Sequence, residues 1–247
     1  MRCVPKINGI YWLSLAVASL FGATMGGFLG TSLGLGHFEA LVVFLAGTML
    51  VFAAERVLKH VSTLCFWAAI VLIRAAASNI GGIVHDYHIK FFTSVPVMCL
   101  VLAVMVIVWR TRDPSTQEDG FIPVASYYWL TMLVAGVLGT LAGDAASYPL
   151  GYGFAGAIVA FAIPLAFLLV IGRDGLYADI GFYWLTVLFI SSAGTAAGEL
   201  LTRNAIHSAE LGTLLSGLIF IALIVAAYEK TSCNNHLQEQ KTGEAAF

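Results

Sequence analysis

Eight stretches of about twenty residues in this chain carry very little charge, and that feature confines the fold to a bundle of membrane-spanning helices. A helix crossing the hydrocarbon needs ~20 mostly apolar residues at about 1.5 Å of rise each. The stretches lie near residues 10–32, 38–58, 64–84, 91–109, 124–147, 152–171, 180–201 and 210–228. Composition closes the alternatives. Of 247 residues 60% are apolar and 11% charged, with mean hydropathy +0.90, too few charges to coat a soluble domain and too much apolar content for a disordered one. A net charge of -2 gives no support to a nucleic-acid partner. The expected class is all-α, with the lipid bilayer as the first partner.

Lysine and arginine in the short connections set the orientation of such a bundle. With eight spans, one side carries both termini and the even connections: Arg2, Lys6, Arg56, Lys59, Arg110, Arg112, Arg173, Lys230 and Lys241. The other side carries Lys90 and Arg203, and Arg74 falls inside a span. Nine against two predicts cytoplasmic termini. Arg2 and Lys6 ahead of an apolar run resemble a signal peptide, but the same pattern recurs later in the chain, so the first run reads as a retained span. Cys3, Cys65, Cys99 and Cys233 form no C-x-x-C pair and suggest neither disulfides nor a thiolate metal site.

Self-comparison finds the same pattern four times. Aromatic pairs stand at Tyr11-Trp12, Phe66-Trp67, Tyr128-Trp129 and Tyr183-Trp184. Ten residues past each Trp is a small residue (Gly22, Ala77, Gly139, Gly194), and fourteen past is always glycine (Gly26, Gly81, Gly143, Gly198). Position +11 reads Ala23, Ser78, Thr140, Thr195, and position +15 reads Gly27, Gly82, Asp144, Glu199. Leu33-Gly34-Leu35-Gly36 matches Leu150-Gly151-Tyr152-Gly153. The chain therefore divides into a first half at 1–110, a cytoplasmic linker at 111–123 around Pro114, a second half at 124–229 and a polar tail at 230–247 expected to lack order. Each half holds two helical hairpins, all entering the membrane in the same sense. Small residues at +10 and +14 lie one turn apart on one face, where they let two helices approach closely. The odd spans are expected to meet through these faces around a central axis, with the even spans outside. Trp12, Trp67, Trp129 and Trp184 read as anchors in the aromatic belt at the cytoplasmic interface.

On these residues the sequence resembles the bacterial membrane-protein family built of four tandem repeats of unknown function, each with two transmembrane segments and a characteristic tryptophan. The G-T-x-x-G-D/E pattern is best matched at Gly139-Thr140…Gly143-Asp144 and Gly194-Thr195…Gly198-Glu199. The first two units depart from it, with Gly27 and Gly82 at the acidic position. The resemblance implies the architecture and no substrate.

Ionisable groups inside a membrane cost roughly 2.5–3.5 kcal/mol at a helix centre on insertion scales, so each is a functional candidate. Asp144 and Glu199 lie about 22 Å past their tryptophans by helix rise, and their side chains lean back toward the bundle centre. With Thr140 and Thr195 one turn earlier, they suggest a cation or proton site between the halves; hydrated helix-end residues are the alternative. Arg74, the deepest charge, reads first as a snorkelling side chain and second as a partner for an acid or an anionic solute in a water-filled cavity. Asn79 adds hydrogen-bonding capacity to the same span. His37, His85, His88 and His207 gather with acids on the outer side, where a divalent metal site is one reading and solvated loop histidines the other.

No hydrolase, metalloprotease, Walker or dinucleotide motif is present, and no cofactor or enzyme activity is expected. The leading expectation is a small-solute or cation permease in the bacterial cytoplasmic membrane. The rival is a non-transporting scaffold or sensor acting through partner proteins. The sequence sets no oligomeric state.

Overall fold

Helices form wherever the apolar runs leave the backbone no partner but itself, since lipid offers no hydrogen bonds. In the computed structural model, which describes residues 4–5, 7–57, 62–112, 124, 126–172 and 179–244, the elements are α1 (Gly9–Gly27, carried on by a π-helical turn Phe28–Ser32), α2 (His37–Val57), α3 (Ser62–Asp86), α4 (Phe91–Arg112), α5 (Ser126–Ser147), α6 (Gly153–Ile171), α7 (Ile180–Glu199, carried on by a π-helical turn Leu200–Ala205) and α8 (Ala209–Glu244). All eight contain a segment long and apolar enough to span a membrane. The protein is an all-α bundle. Asn8 caps α1 by accepting from the Tyr11 N–H at 2.9 Å, and Asp179 caps α7 by accepting from the Phe182 N–H at 2.9 Å.

The linker expected at 111–123 lies almost wholly outside the described residues, as do Arg2, Cys3, Lys6, Lys59 and Arg173. One expectation is corrected at the C-terminal end. The backbone of α8 stays helical to Glu244, through the segment read from sequence as an unordered tail. Lys, Leu, Gln and Glu are good helix formers, and a helix already begun in the membrane spares them the cost of nucleation.

The odd helices form a closed ring in the order α1, α3, α5, α7, each packed on two odd neighbours. The four junctions use the same offsets from the tryptophans. The +10 residue of one helix meets the +7 residue of the next: Gly22 against Arg74, Ala77 against Gly136, Gly139 against Ser191, Gly194 against Ser19. One turn on, +14 meets +11: Gly26 against Ser78, Gly81 against Thr140, Gly143 against Thr195, Gly198 against Ala23. A Cβ added at Gly22 would fall 2.5 Å from Arg74 Cβ, and one at Gly194 would fall 2.7 Å from Ser19 Cβ. These contacts leave no room for a side chain.

The even helices lie outside the ring, with 6–28% of their most apolar windows buried against 50–72% for the odd ones. Each packs chiefly on the odd helix that follows it: α2 on α3, α4 on α5, α6 on α7, and α8 back onto α1. An odd helix and the even helix that follows it are therefore splayed, except α5 and α6, which still touch, and α8 closes the circle. At the turns between odd and even helices the chain enters the left-handed region at Gly34 (φ +69°), His88 (φ +54°), Gly151 (φ +73°) and His207 (φ +54°). Gly34 and Gly151 belong to the paired L-G-x-G signatures, so that motif encodes a turn.

The tryptophans take a different role from the one expected. Trp12, Trp67 and Trp184 are 3%, 6% and 1% exposed, and Trp129 is half-buried. Three of the four thus face the bundle interior and not the lipid–water boundary. They stack edge-on against their own tyrosine or phenylalanine and tilt against the neighbouring unit, as Trp12 does on Tyr183 and Trp184 on Tyr128. Four aromatic pairs converging at one end of a narrow ring gain more contact with each other than with headgroups.

The hydroxyl of Tyr183 joins those of Tyr11 at 2.5 Å and Tyr128 at 2.9 Å on the axis, with Phe66 completing the layer. Tyr183 is the hub. Tyr183→Phe leaves two buried hydroxyls without it, and is expected to lower stability by roughly 1–3 kcal/mol. Tyr11→Phe and Tyr128→Phe each remove a terminal member and are expected to cost less. Thermal unfolding of the three variants in one detergent gives the order.

Candidate functional site

Side chains four residues apart on the odd helices turn toward the axis and stack in layers about 6 Å apart by helix rise. From the tyrosine end the first layer is Tyr11, Phe66, Tyr128 and Tyr183, and the next is Leu15, Ile70, Met132 and Val187, each at most 1% exposed. Position +7 gives Ser19, Arg74, Gly136 and Ser191, all buried. Position +11 gives Ala23, Ser78, Thr140 and Thr195, and here the axis opens into a vestibule of about 550 Å³. All four +11 residues line it, and so do Asp144, Glu199 and Gly82 from the layer above.

The structure brings Asp144, Glu199, Thr140 and Thr195 together, as the matching offsets require. Thr140 and Thr195 Oγ1 stand 3.4 Å apart across the α5–α7 junction. Glu199 is ion-paired with Arg203, one turn further along the π-helical end of α7. Sequence reading placed Arg203 among the loop charges, yet the π-helical turn carries it onto the vestibule wall. The carboxylates are thus not a bare acidic pair. The Asp144 carboxylate has no hydrogen bond to a described residue and is half-buried on the vestibule wall.

The Asn79 side chain is engaged within the bundle. Its Nδ2 donates to Ala75 O at 2.9 Å and Gly26 O at 3.3 Å, and its Oδ1 accepts from His37 Nδ1 at 3.0 Å. Position +12 faces the helix junction and not the axis, so Asn79 fastens α3 to α1 and to the start of α2. His37 and His85 line the vestibule, while His88 and His207 form the left-handed turns. The four do not converge, and among the described residues no three of His, Cys, Asp and Glu come together to hold a metal.

Arg74 departs most from expectation. It is 1% exposed, so its guanidinium does not snorkel to water. The side chain instead runs across the ring. Its Nη1 lies over Gly136, where even a methyl group would stand 2.6 Å away, and its Nη2 donates to Ser191 O at 3.3 Å. Gly136 is the one +7 residue without a side chain, and that gap is what admits a guanidinium. Nε and Nη1 have no hydrogen-bond partner among the described residues, and neither do the buried hydroxyls of Ser19 and Ser191. No described carboxylate pairs with Arg74; Asp144 and Glu199 lie two layers along the axis, about 12 Å away by rise.

Ser19, Ser191, Gly136 and the tyrosine hydroxyls escaped the sequence reading. Their signal was present. The column of four-residue steps through +11 and +15, continued back through +7 and +3 to the aromatic pair, names every axial residue.

Compared with family models, curated proteins and solved structures, the chain matches none of them. The functional reading rests on the axis itself.

Proposed function

We propose that this protein is a permease for a small solute, lying in the bacterial cytoplasmic membrane with its tyrosine end and both termini toward the cytoplasm. The observation that carries the reading is the axial vestibule, whose floor and walls come from all four odd helices and which stops above three buried layers, the +7 layer of Arg74 and its serines, the Leu15–Ile70–Met132–Val187 layer and the aromatic layer. A ring that served only to hold partners would gain stability from filling that space. Polar groups on the wall, on the floor and in the +7 layer, with the apolar layer of Leu15, Ile70, Met132 and Val187 as a seal below them, are the arrangement of a site open to one side. The excess of lysine and arginine in the even connections supports the orientation. The four ring junctions with common offsets support treating the chain as four copies of one two-helix unit, as in the tandem-repeat family it resembles.

Reconstitution tests this directly. Purified protein in proteoliposomes is expected to pass at least one member of a panel of inorganic anions, cations and small organic solutes faster than protein-free vesicles do. Fluxes equal to those of empty vesicles across the whole panel would sink the proposal.

The seal carries its own prediction. With the native cysteines replaced, Ser78→Cys on the vestibule floor is expected to react with a membrane-impermeant thiol reagent added from the vestibule side. Ile70→Cys, two layers deeper, is expected to stay unlabelled in the same vesicles. Equal labelling of both would mean that the axis is open throughout.

A further inference from the structure

We infer that Arg74, Ser19 and Ser191 form a binding site for one small monovalent anion, such as chloride or nitrate, on the axis just beneath the vestibule floor. The inference names the solute class for the permease reading, and rests on that reading for its purpose.

The argument starts from the unspent donors. A guanidinium offers five N–H groups and no acceptor. Only one contact is made here, from Nη2 to Ser191 O, while Nε and Nη1 are buried and unpartnered. The Ser19 and Ser191 hydroxyls, at the same +7 level on the helices flanking α7's junction with α1, are likewise buried and unpartnered. Two guanidinium nitrogens and two hydroxyls, all buried and without a partner among the described residues, share one layer that carries a positive charge and no carboxylate, and that describes an anion site. A water molecule satisfies donors but leaves the charge uncompensated, whereas an anion answers both needs.

Charge sets the class of ligand. Arg74 supplies one positive charge, so a monovalent ion neutralises the layer. A sulfate or hydrogen phosphate would leave excess negative charge facing Asp144 from below. Cations are disfavoured at this depth by Arg74 itself. The next layer, with the Thr140 and Thr195 hydroxyls, lies about 6 Å above by helix rise and offers further donors to an ion held by Arg74. The vestibule floor at +11 lies one layer above the site.

The test uses the full-length protein purified in detergent and exchanged into gluconate, an anion too large for the layer. Replacing gluconate by nitrate or chloride at constant ionic strength is expected to raise the unfolding midpoint saturably, by about 5 °C at a hundredfold excess over Kd. Arg74→Gln is expected to abolish the rise. The double variant Ser19→Ala/Ser191→Ala, which changes almost no volume, is expected to weaken half-saturation at least tenfold while leaving the midpoint in gluconate unchanged. A wild-type midpoint that is the same in all three salts would overturn the site, as would a shift of unchanged half-saturation in the serine variant. An anion-specific shift that depends on Arg74, with no flux of any panel solute in proteoliposomes, would keep the site and overturn the permease. Flux of other solutes with no anion-specific shift would do the reverse.

Discussion

Gly139→Leu is expected to take the bundle apart. A Cβ at this position already collides with Ser191 Cβ and comes within 3.0–3.1 Å of the Ser191 carbonyl carbon and the Ser192 nitrogen, so rotamer choice cannot relieve it. The α5 and α7 backbones would have to separate. Because the ring is closed, displacement at one junction is passed to the next, and the interdigitation of Gly143 with Thr195 is lost as well. Overpacking by even one or two methyl groups costs about 1–3 kcal/mol in a well-packed interior, and leucine adds more. Gly139→Ala is accordingly expected to cost about 1–3 kcal/mol, and Gly139→Leu to prevent recovery of a monodisperse species in detergent. Gly27 is the control: nothing lies within 4 Å of a Cβ added there, and Gly27→Ala is expected to be neutral or stabilising by about 0.5–1 kcal/mol. Size-exclusion profiles and unfolding midpoints separate the three. A monodisperse Gly139→Leu protein with a wild-type midpoint would mean that the ring junctions are wrong.

That prediction shows which parts of the fold the sequence makes legible. Helix number and length follow from apolar run length, because every span must satisfy its backbone internally. The contact faces follow from Gly22, Gly26, Gly139, Gly143 and their equivalents, because close approach demands small residues at fixed offsets. The order of pairing does not follow. Small residues on one helix specify that something packs there, without saying which neighbour, and the splaying of α2, α4, α6 and α8 onto the following odd helix depends on closure of the whole ring. Hydrophobicity gives no guidance, since spans apolar on every side have no contrasting face.

The site was half legible for related reasons. Asp144, Glu199, Thr140 and Thr195 share offsets and were bound to share a level. The tryptophans misled, because an aromatic ring at a helix end suits the interface and the interior equally well, and convergence of four pairs decides between them. Arg74 misled for a subtler reason. The backward lean of its side chain toward the tyrosine end is a property of any helix, but whether that lean ends in water depends on what the neighbours leave open. Gly136, on another helix 62 positions away in the chain, leaves the gap that keeps the guanidinium inside.

Arg74→Met tests whether that guanidinium serves the fold or the solute. An unpaired buried charge is a burden on stability, and an apolar side chain of similar length removes it without opening a large cavity. In gluconate the midpoint of Arg74→Met is therefore expected to match or exceed that of wild type. Flux is expected to behave oppositely. Losing a charge-assisted contact to the anion costs about 3 kcal/mol or more by the scale for one-sided truncation of buried charge pairs, equivalent to a fall of over a hundredfold. Nitrate and chloride flux should thus drop to the level of empty vesicles while the protein remains folded. A structural arginine would give the other pattern, with the midpoint falling because Ser191 O loses its cross-ring donor and the contact to Gly136 on the neighbouring helix is gone. Measuring both quantities on one preparation decides between the two roles. A stable variant that still carries anions would leave Arg74 without a part in transport.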